Sequence, residues 1–118
     1  MSNAAKAYAK TAQTTASPRE IEAQALLKAA SQLQDVMNET GERLQAALMF
    51  NRKLWSIFLS DALRDENPQP LEVRQNIANI GVFVMTHSAA LAVNPQPGHL
   101  QPLIDINRNI AAGLAGRA

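Results

Sequence analysis

The sequence predicts an all-α protein: a single-domain antiparallel bundle of four main helices preceded by a short leading helix. Three observations carry this prediction. Apolar residues recur at steps of three and four over long stretches, the period of a helix with one buried face. All six prolines fall in three places, Pro18, Pro68 with Pro70, and Pro95 and Pro97 with Pro102, so the segments between are uninterrupted. Where Val and Ile are most frequent they do not alternate with polar residues in the period of two that a half-buried strand requires. At 118 residues the chain is large enough for one core that buries roughly two-thirds of the unfolded surface, and residues 1–118 are read as one domain.

The first long helix begins at Ser17-Pro18-Arg19-Glu20. The Ser17 hydroxyl can accept from a free backbone N–H, proline suits the first helical position, and Glu20 can reach back as in a capping box. Ile21, Ala25, Leu26, Ala29, Ala30, Leu33 and Met37 then form one stripe, which fades near Asn38. A second helix runs from about Glu42 to Arg64, with one stripe of Leu44, Leu48, Trp55, Phe58 and Ala62 and another of Ala47, Phe50, Leu54 and Ile57. A helix apolar over so much of its circumference is expected to be central, touched on several sides. After the polar turn at 65–70, Val73, Ile77, Ile80, Val84 and Leu91 carry a third helix from Leu71 to about Val93, where Asn94-Pro95-Gln96-Pro97-Gly98 stops it. The last helix starts between Gly98 and Pro102, carries Leu103, Ile104, Ile106, Ile110 and Leu114, and frays at Gly113 and Gly116. Residues 1–16 supply the short leading helix, which need not be fixed to the bundle.

Composition narrows function by exclusion. Eleven Lys and Arg against ten Asp and Glu leave a formal charge of +1, so no overall field draws in nucleic acid or acidic lipid. The absence of cysteine removes disulfides, thiolate metal sites and cysteine nucleophiles, and suits a reducing compartment. Residues 1–16 lack a continuous apolar stretch of signal-peptide length, and the run Ile80 to Met85 falls far short of the roughly 20 residues of a bilayer span. A cytoplasmic location with no membrane partner is expected.

The common catalytic and metal-binding motifs are missing from the sequence. The residue three after each glutamate is Ala, Glu or Gln and never His, so the Glu-x-x-His pairs of di-metal bundles are missing. His87 and His99 are followed by Ser88 and Leu100, which excludes His-Glu-x-x-His. The five glycines build no phosphate loop and no nucleophile elbow. Met37, Met49 and Met85 read as core gap-fillers rather than haem ligands, Asp61 with Asp65 as a solvated face, and Gly113-Leu114-Ala115-Gly116 as a fraying terminus rather than an RNA clamp. The expectation is a protein that is not an enzyme and uses no cofactor and no metal.

Polar residues that interrupt apolar stripes are the informative exceptions. Asn51 stands between Leu48 and Trp55, and Asn107 between Ile104 and Ile110. Left without partners in a core, each amide would cost about 1–3 kcal/mol. Each is therefore either a hydrogen-bonded core amide or part of a surface facing something outside the bundle. Arg52, Lys53 and Arg108 adjoin these positions, and Trp55 completes an Asn-Arg-x-x-Trp group of a kind that anchors interfaces. Asn51, Arg52, Trp55, Asn107 and Arg108 are the candidate partner-binding residues. As a nucleic-acid patch the same group is thin in cations and in stacking aromatics, which disfavours that partner.

Two of these segments carry a family resemblance. Asn51-Arg52-Lys53-Leu54-Trp55-Ser56-Ile57-Phe58 and Leu103-Ile104-Asp105-Ile106-Asn107-Arg108-Asn109-Ile110 resemble the signature stretches of the flagellar biosynthesis regulator FlaF family. The helix start at Ser17-Pro18-Arg19-Glu20-Ile21-Glu22-Ala23 and residues 4–10, with Tyr8, are similar as well. Thr40-Gly41 and Pro102 look like local departures. The resemblance implies a cytoplasmic regulator that binds flagellin as a chaperone or adaptor and promotes its synthesis and secretion, acting alongside FlbT. Two other readings stay open, an RNA-binding regulator of flagellin message and a structural hub that binds FlbT. A spare apolar stripe also leaves a homodimer open.

Overall fold

The computed structural model describes residues 17–96 and 98–116. The leading helix expected within residues 1–16 lies outside them. Four helices follow one another: α1 (Pro18–Asp35), α2 (Glu42–Ala62), α3 (Leu71–Val93) and α4 (Gln101–Leu114), with no strand among the described residues. Each has a local cause. Ser17 Oγ accepts from the Glu20 backbone N–H at 3.1 Å and Pro18 opens α1, half of the expected capping box. Gly41 holds the join before α2 at φ 93°, a left-handed conformation that a side chain would strain, which accounts for glycine at Thr40-Gly41. α2 stops at Ala62 rather than Arg64, because the Arg64 N–H turns back to the Asp61 carbonyl, a tighter i→i+3 closure. Pro102 lies in the first turn of α4, where its missing N–H costs nothing.

Hydrogen bonds at opposite ends of the α2/α3 pair set it antiparallel. Gln45, near the start of α2, donates Nε2–H to the Ala92 carbonyl near the end of α3 at 2.9 Å. Arg74, in the first turns of α3, donates from Nε to the Ala62 carbonyl at 2.9 Å and from a terminal nitrogen to the Arg64 carbonyl at 2.7 Å. One guanidinium thereby takes the last carbonyl of α2 and one from the turn that follows, and sets its charge against the negative end of that helix. Midway, the helices approach closely at Gly81, where a Cβ would stand at ordinary contact distance, 3.4 Å from Leu59 Cβ and 3.7 Å from Trp55 Cε3, leaving room for a methyl group but not for a large side chain.

α1 packs most extensively on α4, α2 on α3, and α1 against α2 joins the two pairs. The core runs through all four helices, with Leu26, Leu33, Leu48, Trp55, Val84, Leu103 and Ile104 fully enclosed. α2 is central as expected, and its first stripe is the buried one: Leu44, Leu48, Trp55 and Ala62 have almost no exposed surface. The second stripe is split: Ala47 is buried and Leu54 packs against the core, while Ile57 is 64% exposed; Met49, expected as a gap-filler, is 54% exposed. Met37 and Met85 do pack against the core. In α1 the buried face is rotated slightly from the expected stripe, taking in Ala23 and Val36 and leaving Ile21 largely outside.

α3 is more membrane-like than its longest unbroken apolar run suggests. From Gln75 to Val93 it carries no Asp, Glu, Lys or Arg, and by length and composition it would be able to cross a bilayer. Its inner stripe of Gly81, Val84, Ser88 and Leu91 is buried, while Val82, Phe83 and Val93 face outward.

Candidate partner-binding cleft

Three of the five residues singled out from the sequence meet inside the bundle. Asn51 and Trp55, one turn apart on α2, and Asn107 on α4 have no exposed surface. Trp55 Nε1–H donates to Asn107 Oδ1 at 2.7 Å, and Asn107 Nδ2 donates to Asn51 Oδ1 at 2.7 Å. The order of this chain is forced. An indole N–H can only donate, so Asn107 must turn its oxygen to Trp55 and its nitrogen to Asn51, which must answer with oxygen. Of the two alternatives the sequence left open, Asn51 and Asn107 are hydrogen-bonded core amides, and they clasp α4 to α2. Asn51 Nδ2 and Ser88 Oγ are enclosed without a partner among the described residues.

These three residues therefore form no outward-facing contact surface. Asn51, Trp55 and Asn107, expected near or in support of a contact surface, are enclosed in the core, where only a supporting place is open to them. Arg52 is half-buried, with its Nε enclosed, and Arg108 is exposed on α4. The five residues do not converge on one patch.

What the sequence did not reveal is an open cleft of ≈ 540 Å³ at one end of the bundle. Up-and-down connectivity gathers there the start of α1 (Pro18, Arg19, Glu22), the end of α2 (Phe58, Asp61), the start of α3 (Val73, Ile77) and the end of α4 (Ile110, Leu114). Trp55 closes the floor from below, with the Phe58 ring edge-on to it at a centroid distance of 5.5 Å. The Asn107 clasp thus fixes the floor of a cleft whose accessible walls are Phe58, Val73, Ile77 and Ile110. The lining is mainly apolar with a few charged groups, the usual make-up of a binding cleft, and its volume falls inside the roughly 300–1,000 Å³ common for such sites.

Two carboxylates, Glu22 and Asp61, face this cleft from different helices. Partial burial and, second, the negative charge of Asp61 push the Glu22 carboxyl above its ordinary range, with Arg19 opposing the shift. Asp61 pairs with Arg64 at 3.2 Å and accepts from Asn67 Nδ2 at 3.2 Å. Asn67 also accepts from the Gln69 backbone N–H at 2.9 Å, which holds the α2–α3 turn as one wall of the cleft. Among the described residues no group of three or more His, Asp or Glu stands close enough to hold a metal ion.

No curated protein and no solved structure matches the chain. The model of one family does, described as flagellar protein FlaF and covering residues 4–114. That span takes in α1 to α4, the Asn51–Asn107 clasp and every wall of the cleft. The chain belongs to the FlaF flagellar protein family.

Proposed function

We propose that this protein serves flagellum formation by binding unassembled flagellin, with a helix of the subunit seated in the end cleft, and so promotes flagellin synthesis and secretion from the cytoplasm as a chaperone or adaptor rather than an enzyme. The observation that carries the reading is the cleft itself: an apolar trough, long enough to be walled by four helix ends, in a chain of a flagellar family. Flagellin outside the filament has terminal helices deprived of their packing partners. A cleft lined by Phe58, Val73, Ile77 and Ile110 offers apolar surface to the apolar face of such a helix, as in helix-in-groove recognition.

The strength expected of this contact suits a carrier. Each large apolar anchor contributes about 1.5–3 kcal/mol when buried, while association itself costs at least about 4 kcal/mol. Two or three anchors therefore give weak, reversible binding, from which a subunit can be handed on. Calorimetric titration of monomeric flagellin into the protein tests the reading. Binding is expected with a negative heat-capacity change and little dependence on salt. No heat and no co-elution in size exclusion would sink it, and an affinity that falls steeply with salt would point to a charged partner such as RNA instead.

A further inference from the structure

The described chain begins at the edge of its own cleft. Pro18 and Arg19, in the first turn of α1, form part of the cleft wall, so whatever precedes Ser17 starts from the mouth. The sixteen residues before it, MSNAAKAYAKTAQTTA, contain Lys6 and Lys10 and no acidic residue. Residues 4–10 are four alanines, these two lysines and one aromatic, Tyr8. The family match opens at residue 4 and so includes this segment.

The cleft offers complementary chemistry. Phe58, Val73 and Ile77 give it an apolar wall for an aromatic ring and small side chains, and Glu22 and Asp61 are two carboxylates on facing elements. Of the two cations in the lining, Arg74 is committed to the carbonyls of Ala62 and Arg64, while Arg19 acts on Glu22; Asp61 also pairs with Arg64, which leaves Glu22 the main carboxylate for an added cation. A lysine entering beside Glu22 would favour its ionised form against the burial and, second, the Asp61 charge that together raise its carboxyl. We infer that residues 4–10 of the same chain are the resident occupant of this cleft in the free protein, with Tyr8 on the apolar wall and Lys6 and Lys10 toward the carboxylates, and that a partner helix must displace them.

Tethering makes this effective even when the contact is weak. A short connection holds the segment at an effective concentration on the order of 1 mM, so an intrinsic dissociation constant of about 0.1 mM keeps the cleft about nine-tenths filled. An incoming helix then binds about tenfold more weakly than it would to an open cleft. Docking stands apart from the flagellin reading, and only the displacement step rests on it.

The chain has no cysteine, so an introduced pair reports cleanly on the full-length protein. Ala9→Cys, which leaves Tyr8 in place, is combined with Val73→Cys in the cleft, a position already 43% exposed and tolerant of substitution, or with Val82→Cys on the outer face of α3 as the control. Mild oxidation is expected to give an intramolecular disulfide with Val73→Cys at several-fold the yield with Val82→Cys, and Lys6→Glu with Lys10→Glu should cut that yield several-fold. Equal yields at the two positions would overturn the proposal. So would a disulfide found only in covalent dimers, which would assign the cleft to a second copy. Monomeric flagellin should lower the yield. Flagellin that binds by calorimetry yet leaves the disulfide unchanged would overturn displacement, whereas flagellin that does not bind leaves the docking result standing and removes only the carrier reading.

Discussion

Asn107 divides one side chain between two partners, accepting from Trp55 and donating to Asn51 inside a mainly apolar core. Replacing it with leucine keeps the bulk but strands an indole N–H and an amide oxygen. Asn107→Leu is therefore expected to cost about 2–4 kcal/mol, seen as a lower urea midpoint at unchanged slope, while exposed Asn109→Ala should stay within about 0.5 kcal/mol. Equal effects of the two would show that the clasp contributes nothing. Glu22 gives a pH-dependent test. Its carboxyl is raised by burial and by Asp61 from an ordinary 4.5, so above that value the folded state holds a proton more tightly than the unfolded state, and ionisation weakens the fold as pH rises. Glu22→Gln should raise the Tm near neutral pH, and the gain should vanish in acid where glutamate is neutral in both states. A gain that is constant across pH would remove charge as its cause. The sequence made Asn51 and Asn107 conspicuous as polar breaks in apolar stripes, but not as partners. Periodicity reports on one helix at a time, and this contact joins residues 56 apart.

Among the elements, α3 was the most legible, because proline-rich turns bracket Leu71 and Val93 and leave no ambiguity about its ends. The orientation of α2 was less so. With apolar residues on most of its circumference, nothing local told the Leu48–Trp55 face from the Met49–Ile57 face, and only the placement of α1, α3 and α4 decided which was covered. The α2/α3 pair depends on two residues whose removal has distinct signatures. Arg74→Ala removes the bonds to the Ala62 carbonyl at the end of α2 and to the Arg64 carbonyl in the turn after it and should cost about 1–2 kcal/mol, with amide exchange accelerating in the last turn of α2 and not in α1. Gly81→Ala places its Cβ at ordinary contact distance from Leu59 and gains helix propensity of up to about 1 kcal/mol, so thermal melting should show it neutral or stabilising. Gly81→Leu overfills the same gap and should cost about 1–3 kcal/mol. If leucine were accepted as readily as alanine, the close approach would not limit the pair.

At the level of the whole molecule, up-and-down connectivity brings four helix ends together, and the cleft they form belongs to no single segment. For that reason Phe58, Val73, Ile77 and Ile110 could each be read as stripe residues from the sequence, while their meeting could not. The fold and the flagellar family were legible in helical periodicity and in the Asn-Arg-Lys-Leu-Trp and Asp-Ile-Asn-Arg stretches, whereas the candidate contact moved from the asparagines to the end of the bundle that they brace. α3 separates the two possible surfaces well, since Val73 faces the cleft and Val82, 56% exposed, faces away from it. The most direct measurement is the affinity of monomeric flagellin for Val73→Asp beside Val82→Asp, with circular dichroism confirming that both fold. An aspartate on the cleft wall is expected to weaken binding at least about tenfold, a loss on the order of 1.4 kcal/mol or more, and the same substitution on the outer face to leave it unchanged. Undiminished binding by Val73→Asp, or a loss confined to Val82→Asp, would contradict the cleft as the place where flagellin is held.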